Sequence, residues 1–569
     1  MTEPGVQGYS DRHLVGFAPL APFQYSVPRE GMPMPEYDVL IVGGGVAGLR
    51  AALAAKRAGA QVALLSKTHP LRSHSATSPG GLNAAFGAGD SWQQHAQDTL
   101  QAGGGLCDHA AVEWMCREAP QDVIHLDHIG VPFNRDAEGK LDRRMLGGNR
   151  VPRAAFASDL TGHTVLNTLY EQFIREGVPA HEEWLATSLV VEGGVCRGVL
   201  ALELGTGKLE AFSARAIVLA TGGAGRLYDS STASQSCCGD GMSLAYRVGL
   251  SLMDMEMVQY HPFGFRDKAT FASEGALGDG ATVCDKAGQP VVSTNGLPLR
   301  DELCRSLAAS GPGTVLDFRA LGKERISARF FYLARVANEL AGISLDKEPL
   351  PVQPRMHRIL GGVQTDLSGA TAVPGVFAAG ECASPGAHGA NALAGNALTA
   401  GVVFGRRAGT AAAAYVQAAP AGGIADTVLG GTERELESVF SRPSGKDTVV
   451  KIYRELAAKM ADKVGLVRDG AGLQDAAECV ADLKTRYTQV GLRHHGKVYN
   501  HELLTWYELG SLLDVAQAVV VAAQARRESR GVHQRSDFPT TNDTEWQQHS
   551  LVTSGPDGPS LATCPVNTG

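Results

Sequence analysis

Several features that many proteins of this size carry are missing from this 569-residue chain. Its ten cysteines form no Cys-X-X-Cys pair, which argues against zinc or iron–sulfur ligation within the chain and favours reduced thiols in the cytoplasm. Basic residues are not in excess, and a net charge of −8 gives no support to nucleic-acid binding. The stretch that comes nearest to a membrane span, residues 515–523, is shorter than the roughly 18 residues that a span needs. Any membrane contact is therefore expected to involve partner proteins.

The N-terminal residues also do not have the pattern of a signal peptide. Residues 1–35 hold six prolines and no apolar core of the kind that a signal peptide needs, so we predict an irregular N-terminal extension. The remainder is long enough, and at 44% hydrophobic residues apolar enough, to bury more than one core. The chain is therefore predicted to form two to four domains.

An apolar run that opens onto a glycine-rich turn organises the chain. Val39-Leu40-Ile41-Val42 leads directly into Gly43-Gly44-Gly45-Val46-Ala47-Gly48. The first glycine permits the turn, the second lets backbone approach a pyrophosphate, and the third lets a helix pack on the strand. A helix over residues 46–58 and a second strand over residues 61–66 complete a dinucleotide-binding unit. An ordinary turn can carry the same glycines, but the strand–helix–strand context favours the dinucleotide site.

The second strand ends in Ser66-Lys67, where an NAD-binding fold usually has Asp or Glu for the ribose hydroxyls. This argues against a plain NAD enzyme. The next stretch contains Arg72-Ser73-His74-Ser75 and Gly80-Gly81. Taken alone, His74 could be a structural loop histidine. The whole stretch, however, resembles the flavin-attachment segment of the succinate dehydrogenase/fumarate reductase flavoproteins, and the resemblance implies that His74 carries FAD covalently through its 8α-methyl group.

Further motifs of this family follow in family order over residues 37–552. Residues 157–163 resemble its ADRTGH segment with Leu160 in place of arginine, and residues 217–226, 238–241 and 373–381 resemble its later FAD-binding pieces. The resemblance implies that backbone amides near residues 388–398 lie at the flavin O2, where a helix dipole would stabilise the anionic reduced flavin. The residues expected to bind FAD are Gly43, Gly45, Val46, Ala47, Gly48, Ser66, Lys67, Ser73, His74, Ser75, Gly80, Gly81, Ala220, Thr221, Gly222, Asp240, Glu381, Asn396, Ala397 and Leu398.

Residues 257–354 lack dinucleotide signals and resemble the family's capping domain, which closes over substrate on a hinge. The resemblance implies hydride transfer between the flavin N5 and a C4 dicarboxylate, with a proton moving at the neighbouring carbon. His261, Ser273 and His357 would hold carboxylates, Arg300 would be the proton donor and acceptor, and Glu274 would relay protons to it. Each histidine alone could be structural, whereas four motifs in register favour the functional interpretation.

Two departures from the family pattern bear on the substrate. Leu277 stands where the family has the second relay arginine, and Ala392 stands where it has the arginine that clamps the substrate. Losing a bidentate carboxylate clamp removes charge-assisted binding. Arg355 and Arg358 are the nearest replacement candidates in the sequence. Phe263, at a family threonine, predicts a more apolar pocket wall.

The C-terminal part is predicted to be helical, because Ile452, Leu456, Met460 and Val464 recur every four residues. A second long helix is predicted over residues 507–527, after an Ala/Gly/Pro-rich linker beyond Ala411. The tail after Val552 is polar and predicted to be disordered. The predicted fold class is α/β, with a discontinuous Rossmann-like FAD-binding domain (36–256 and 355–411), an inserted α+β capping domain (257–354), a helical domain (425–530) and a C-terminal segment (531–569).

Three functional hypotheses follow. In the first, the chain is the FAD subunit of a succinate:quinone oxidoreductase that passes electrons to a separate iron–sulfur subunit and sits on the inner face of the cell membrane through anchor subunits. In the second, the same fold acts on a different acid or a bulkier unsaturated compound, as Ala392 and Leu277 permit. In the third, it is a catalytically weakened flavoprotein kept for assembly or electron relay.

Overall fold

The structure, a computed structural model, describes residues 36–292, 296–419 and 423–568. The extension predicted for residues 1–35 lies outside this part of the chain. The strands are β1 (Tyr37–Val42), β2 (Val62–Ser66), β3 (Leu82–Asn83), β4 (Arg143–Arg144), β5 (Ala154–Ala155), β6 (Ala180–Glu182), β7 (Trp184–Glu192), β8 (Val195–Glu203), β9 (Leu209–Leu219), β10 (Leu252–Met253), β11 (Val258–Phe265), β12 (Thr282–Cys284), β13 (Val315–Asp317), β14 (Leu350–Ile359), β15 (Gly362–Gln364), β16 (Val376–Ala378), β17 (Ala383–Ser384), β18 (Gln548–Gly555) and β19 (Gly558–Pro565).

The α-helices are α1 (Val46–Arg57), α2 (Trp92–Ala102), α3 (His109–His128), α4 (Thr161–Arg175), α5 (Asp240–Arg247), α6 (Gly275–Asp279), α7 (Arg300–Ala309), α8 (Gly322–Arg329), α9 (Phe331–Ala341), α10 (Asn396–Val416), α11 (Asp426–Ser441), α12 (Val449–Lys463), α13 (Gly470–Gln489), α14 (His501–Ala525) and α15 (Asp543–Trp546).

The largest sheet has the order β6-β2-β1-β9-β8-β7, and β16 also pairs with β9. Strands β6, β2, β1, β9 and β16 run parallel, as the strand–turn–helix pattern around residue 43 predicts, while β7 and β8 extend the sheet as antiparallel strands. Helix α1 packs along α10, and both bury their apolar faces with β1 and β9 in one core. The carboxyl end of β1 is thereby fixed beside the starts of two helices.

A second unit is inserted between β11 and β14, which pair antiparallel in a four-stranded sheet of order β11-β14-β13-β12. Together with α6 to α9 this sheet encloses its own apolar core, in which Phe263, Phe318 and Phe330 are fully buried. The register pairs His261 with Arg355 and Gln259 with Arg358. The two strands therefore bring the histidine and arginine motifs of distant sequence segments side by side.

Helices α11 to α14 form the C-terminal helical region. Helix α14 begins earlier than the predicted residue 507, and α10 continues through the first part of the predicted Ala/Gly/Pro-rich linker to Val416. Alanine favours helix, so the alanine-rich first part of that segment extends α10 instead of forming a linker. Among the described helices α14 is the one long and apolar enough to span a membrane, and 78% of its apolar stretch is buried inside the molecule.

The predicted disorder after Val552 is wrong. Strands β18 and β19 form an antiparallel hairpin, and β18 also pairs with β10. His549 anchors this hairpin because its Nδ1 lies 2.6 Å from an Asp254 oxygen and its Nε2 lies 3.4 Å from Asp108. These two carboxylates outweigh burial and raise the pKa of His549 to about 10. A buried ion pair and a strand partner thus order a segment whose polar composition alone indicates disorder.

Candidate active site

A cleft lies between the main sheet and the inserted unit. Its walls come from the ends of β1, β2 and β9, the segment around His74, the start of α10, and residues of the inserted unit. At one end it is lined by glycines and at the other by His261, Arg300 and His357. The cleft therefore joins a phosphate-type cradle to a cluster of ionisable side chains.

The glycine turn after β1 is shaped by close backbone contacts. A Cβ added at Gly43, whose φ is +116°, would lie 2.3 Å from the Ala220 carbonyl oxygen, and one at Gly48 would lie 1.9 Å from the Gly43 oxygen. The N-cap residue Gly45 has no side chain, Ser75 Oγ accepts from the Val46 amide at 3.2 Å, and no acidic residue lies in the first turn of α1. The helix dipole at this end therefore favours an anion in the cleft.

Buried polar atoms without partners indicate that the cleft accepts a polar ligand. Asp240 Oδ1, Arg358 Nε and His388 Nδ1 are buried, and the described residues offer them no hydrogen-bond partner. All three residues line the cleft. Because such atoms are costly to leave unpaired, these residues fit a large, polar, phosphate-bearing cofactor.

Most residues predicted to bind FAD line this cleft, with two exceptions. Gly48 lies behind the turn, against the Gly43 backbone, where it permits packing and not ligand contact. The Asn396 side chain is buried beneath the cleft, where its amide donates to Thr99 Oγ1 at 2.9 Å and its oxygen accepts from Asn83 at 2.8 Å. The motif places the residues near the cofactor site, but the direction of each side chain depends on the packing around it.

Lys67, at the end of β2, lies 2.7 Å from Asp240 and 2.9 Å from Glu508 of α14. These carboxylates, acting against desolvation, raise the pKa of the Lys67 ammonium. The lysine is thus a buried cation where NAD-binding folds usually place a carboxylate.

His74 is held with one ring nitrogen already engaged. Its Nδ1 accepts a hydrogen bond from the Ser234 backbone amide at 3.2 Å and lies 3.1 Å from the Thr77 hydroxyl. Burial lowers the pKa of His74, so the ring is neutral at pH 7. A neutral imidazole whose Nδ1 is an acceptor has its other nitrogen, Nε2, available for a bond in the cleft.

Arg300 is the most firmly positioned cation of the cluster. Its Nε lies 3.0 Å from both Glu274 oxygens, its Nη2 lies 2.5 Å from Glu274 Oε2, and its Nη1 donates to Gln259 Oε1 at 2.7 Å. Gln259 in turn donates to Asn391 at 2.7 Å, and Asn391 donates to Asp301 at 2.7 Å. This chain of hydrogen bonds fixes the guanidinium from both the inserted unit and the loop that contains Ala392.

Two histidines and an aromatic ring face Arg300. The ring centroids of His261 and His357 are 5.0 Å apart, and Phe271 lies 4.6 Å from His261 and 5.5 Å from His357. Burial lowers the pKa of His261 to about 3, and burial together with Arg300 holds that of His357 well below its ordinary value. Both rings are therefore neutral at pH 7 and can act as N–H donors without adding charge.

The hydrogen bonds of these histidines direct their free nitrogens. His261 Nδ1 accepts from the Phe263 amide at 3.2 Å, and His357 Nδ1 lies 2.7 Å from the Thr232 hydroxyl. Ser273 also lines the cleft, and its hydroxyl accepts from the Gly275 amide at 3.1 Å. These contacts leave the ring Nε2 atoms and the Ser273 hydroxyl proton available to a ligand.

The two arginines that could replace the family's substrate-clamping arginine lie in different places. Arg358 lines the cleft, and its pKa is lowered by burial and by Arg300, against the pull of Glu381. Arg355 lies on the same strand but does not line the cleft, and its Nε donates to the Phe265 carbonyl oxygen at 3.1 Å. Arg358 is thus a buried cation aimed at the ligand space, while Arg355 serves the inserted unit.

The two positions that depart from the family pattern have different surroundings. Ala392 is buried and lines the cleft, so the space of a clamp side chain is part of the ligand volume. Leu277 packs on the apolar core of the inserted unit, and its backbone amide donates to the Glu274 carbonyl oxygen at 3.1 Å. Three further site residues lie in no motif with a chemical signature and were not predictable from the sequence: Thr232, Gln259 and Phe271.

Comparisons with known proteins agree with this arrangement. Residues 38–398 match the FAD binding domain family, and residues 453–569 match the family described as Fumarate reductase flavoprotein C-term. The fumarate reductase flavoprotein subunit of Mycobacterium tuberculosis strain H37Rv is 36% identical over 560 residues, covering 92% of this chain and 96% of that protein. The succinate dehydrogenase flavoprotein subunit of Rickettsia bellii is 36% identical over 558 residues, covering 91% and 92%.

Solved structures show the same relationship. A mutant form of E. coli quinol fumarate reductase superposes with a TM-score of 0.90 at 33% identity, covering 95% of this chain and 98% of that one. Mycobacterium smegmatis Sdh1 gives a TM-score of 0.83 at 33% identity, covering 95% of both chains. The predicted fold class, a Rossmann-like FAD-binding fold with an inserted unit and a helical region, is confirmed.

Proposed function

The chain belongs to the succinate dehydrogenase/fumarate reductase flavoprotein subunit family, and on this premise we propose that its cleft interconverts succinate and fumarate, or a close C4 dicarboxylate, with FAD as the redox cofactor. One observation carries the proposal. Arg300 donates hydrogen bonds to Glu274 and lies with two neutral histidines and the buried cation Arg358 at one end of an FAD-type cleft. When bound, FAD supplies hydride acceptance and donation at its N5 atom.

The site binds a dianion through a small number of charges. Arg300 and Arg358 are the cations that line this end of the cleft, while His261, His357 and Ser273 offer neutral donors. Hydrogen bonds from charged donors to carboxylates are about twice as strong as neutral ones. We assign one carboxylate to Arg358 with His357, and the other to His261 with Ser273.

Proton transfer is assigned to Arg300. Its Nε and Nη2 are occupied by Glu274, and its Nη1 by Gln259, so its orientation is fixed before substrate enters. Holding a donor in place in this way removes much of the entropic cost of the transfer. Glu274, whose pKa is lowered chiefly by Arg300 against desolvation, is a carboxylate that can return a proton to the guanidinium after each turnover.

His74 is proposed to hold FAD covalently through Nε2. The support is the neutral ring and the engagement of Nδ1 by the Ser234 amide, which together leave Nε2 as the nitrogen free to form the bond, with the Nε2 proton lost as the bond forms. Electrons are proposed to leave for a separate iron–sulfur subunit, and membrane-anchor subunits are proposed to hold the chain at the inner face of the membrane. Among the described residues no group of three or more His, Cys, Asp or Glu side chains is arranged to hold a metal ion.

Steady-state turnover tests the proposed function. The purified complex is assayed with succinate and a quinone analogue, and with fumarate and reduced viologen, beside a panel of larger unsaturated acids. Turnover with the C4 pair is expected. A flavin-loaded enzyme that ignores both C4 acids but reduces a bulkier one would indicate that the space beside Ala392 serves another substrate, and absence of all turnover would indicate an electron-relay role.

The covalent bond gives a separate prediction. The FAD of the wild-type chain is expected to stay with the polypeptide after acid precipitation, seen as fluorescence in a denaturing gel. His74→Ser is expected to keep FAD noncovalently and to impair succinate oxidation more than fumarate reduction, because the covalent bond raises the flavin potential. His69→Ser, which changes a nearby histidine outside the cleft, is the control and should retain fluorescence. Release of all flavin from the wild-type chain by acid would refute the assignment.

A further inference from the structure

Arg144, on the short strand β4, is a fully buried arginine outside the group described above. Its Nε, Nη1 and Nη2 are all buried, and the described residues give none of them a hydrogen-bond partner. Its guanidinium carbon lies 4.1 Å from the Phe156 ring centroid and 5.4 Å from that of Phe330. Five unpaired donors on one buried cation are costly, so this side chain needs an explanation beyond packing.

The Arg144 guanidinium packs against the backbone next to Glu274. A Cβ added at Gly275, the next residue, would be 2.9 Å from Arg144 Cδ and 3.1 Å from its Nη1. A Cβ at Gly147, three residues after Arg144, would be 3.9 Å from Glu274 Oε1. The segment that carries Arg144 therefore packs on the start of α6, beside Glu274.

From Arg144 a series of ionisable groups leads outward. Its Nη2 lies 3.6 Å from Asp279 Oδ2, an oxygen without a hydrogen-bond partner among the described residues. Asp279 Oδ1 accepts from Arg329 at 2.5 Å, and Arg329 also donates to Asp142 at 2.6 Å. The side chains of Arg329 and Asp142 are each 23% exposed, so the series reaches solvent. The Asp159 carboxylate also acts on the charge of Arg144.

We propose that Arg144 and Asp279 form the outer half of the proton path, passing protons between solvent at Asp142 and the Glu274–Arg300 pair. The inference rests on the proposed function, because it assumes that a proton crosses at Arg300. In the family pattern a second relay arginine stands at the position of Leu277, which has no ionisable group. In this chain Arg144 and Asp279 would take over that relay. Burial lowers the pKa of Arg144 to about 10, which makes its proton easier to give up than that of an ordinary guanidinium.

The protons balance over a turnover. In the reducing direction Arg300 gives one proton to a substrate carbon. The Glu274 carboxylate then accepts a proton from the side of Arg144 and passes it to Arg300, and Arg144 is restored from solvent through Asp279, so the protein is unchanged after each cycle. In the oxidising direction each transfer runs in reverse and one proton is released to solvent.

The experiment compares turnover of the holoenzyme with fumarate and reduced viologen, across pH and in H₂O and D₂O. Arg144→Met is expected to lower kcat by about 10- to 100-fold, part of the usual effect of acid–base groups, with KM changed less than about 2-fold because substrate contacts are intact. The solvent isotope effect on kcat should rise. Arg144→Lys, which keeps a buried proton carrier, should recover part of the rate.

A rescue separates a proton path from a structural role. Adding Leu277→Arg to Arg144→Met places an ionisable group on the same helix as Glu274 and should restore kcat by at least about 5-fold, whereas it cannot repair lost packing around Phe156. Arg325→Met removes a cation that touches Asp279 from the solvent side and should leave kcat unchanged.

The outcomes distinguish the inference from the function on which it rests. Wild-type enzyme without C4 dicarboxylate turnover refutes the proposed function itself. Wild-type turnover with an Arg144→Met enzyme within about 2-fold of its kcat, or with a loss that Leu277→Arg does not relieve, refutes only the proton path. If Arg144→Met does not retain FAD, Asp279→Asn replaces it, and an unchanged kcat and isotope effect in that variant overturn the inference.

Discussion

Replacing Arg300 with alanine is expected to lower kcat by at least about 10³-fold while FAD content and folding stay near those of the wild type. The reason is geometric. Glu274 and Gln259 occupy the Nε, Nη1 and Nη2 positions of this guanidinium and hold it at the substrate end of the cleft, and no other described arginine is held there by a carboxylate. Steady-state rates in both directions, with FAD quantified per chain, measure the effect.

Two control variants test whether a positive charge at position 300 is sufficient and whether any arginine of the inserted unit has the same effect. Arg300→Lys should rescue poorly, because a compact ammonium cannot make the planar, forked contact with Glu274. Arg319→Ala removes an exposed arginine of the inserted unit that pairs only with its neighbour Asp317, and it should leave kcat unchanged. An Arg300→Ala enzyme that keeps more than about a tenth of the wild-type rate, a barrier change under ~1.4 kcal/mol, would mean that another group carries the proton.

Replacing Arg358 with alanine is expected to raise the KM for succinate or fumarate by about one to three orders of magnitude, or ~1.4–4 kcal/mol of charge-assisted binding. Arg358 lines the cleft next to His357, and its buried Nε has no acceptor among the described residues, so a ligand carboxylate is the partner that compensates its charge. The effect on kcat should be smaller than the effect on KM, because the side chain acts in binding.

Two variants make this second prediction specific. Arg355→Ala, on the same strand but outside the cleft, should change KM less than about 3-fold. Ala392→Arg places a guanidinium in the cleft and should partly restore binding to the Arg358→Ala enzyme, since both positions line the same space. If Arg358→Ala leaves KM unchanged while Ala392→Arg alone creates succinate turnover, the native substrate is not a C4 dicarboxylate.

The strand–turn–helix unit at residue 43 was predictable because its signals are local. An apolar run, a glycine turn and an Ala-rich helix specify their own conformation, and the structure differs from the prediction by about a residue at each boundary. The hairpin after residue 548 was not predictable in the same way. Its order depends on pairing with β10 and on His549 meeting Asp108 and Asp254, which lie some 300 to 440 residues away in sequence.

The site shows the same division between local and tertiary information. Motif positions identified Arg300, Glu274, His261 and His357, and the structure brings all four to one end of the cleft. The choice between Arg355 and Arg358 could not be made from sequence, because it depends on the register and local irregularity of the β11–β14 pair. Thr232, Gln259 and Arg144 have no motif and became visible only through their contacts.

The residues that form the cofactor cradle come from distant parts of the sequence and are therefore synthesised at different times. The turn at Gly45 emerges from the ribosome about 350 residues before α10, the helix that covers the apolar face of α1. At 5–20 residues per second, that interval lasts roughly 20–70 s. During it Ala47 and Ala51, whose backbones lie against Gly405 and Gly409 of α10 in the finished protein, lack that partner. Because residues of α10 line the cleft, the flavin site is completed late in synthesis.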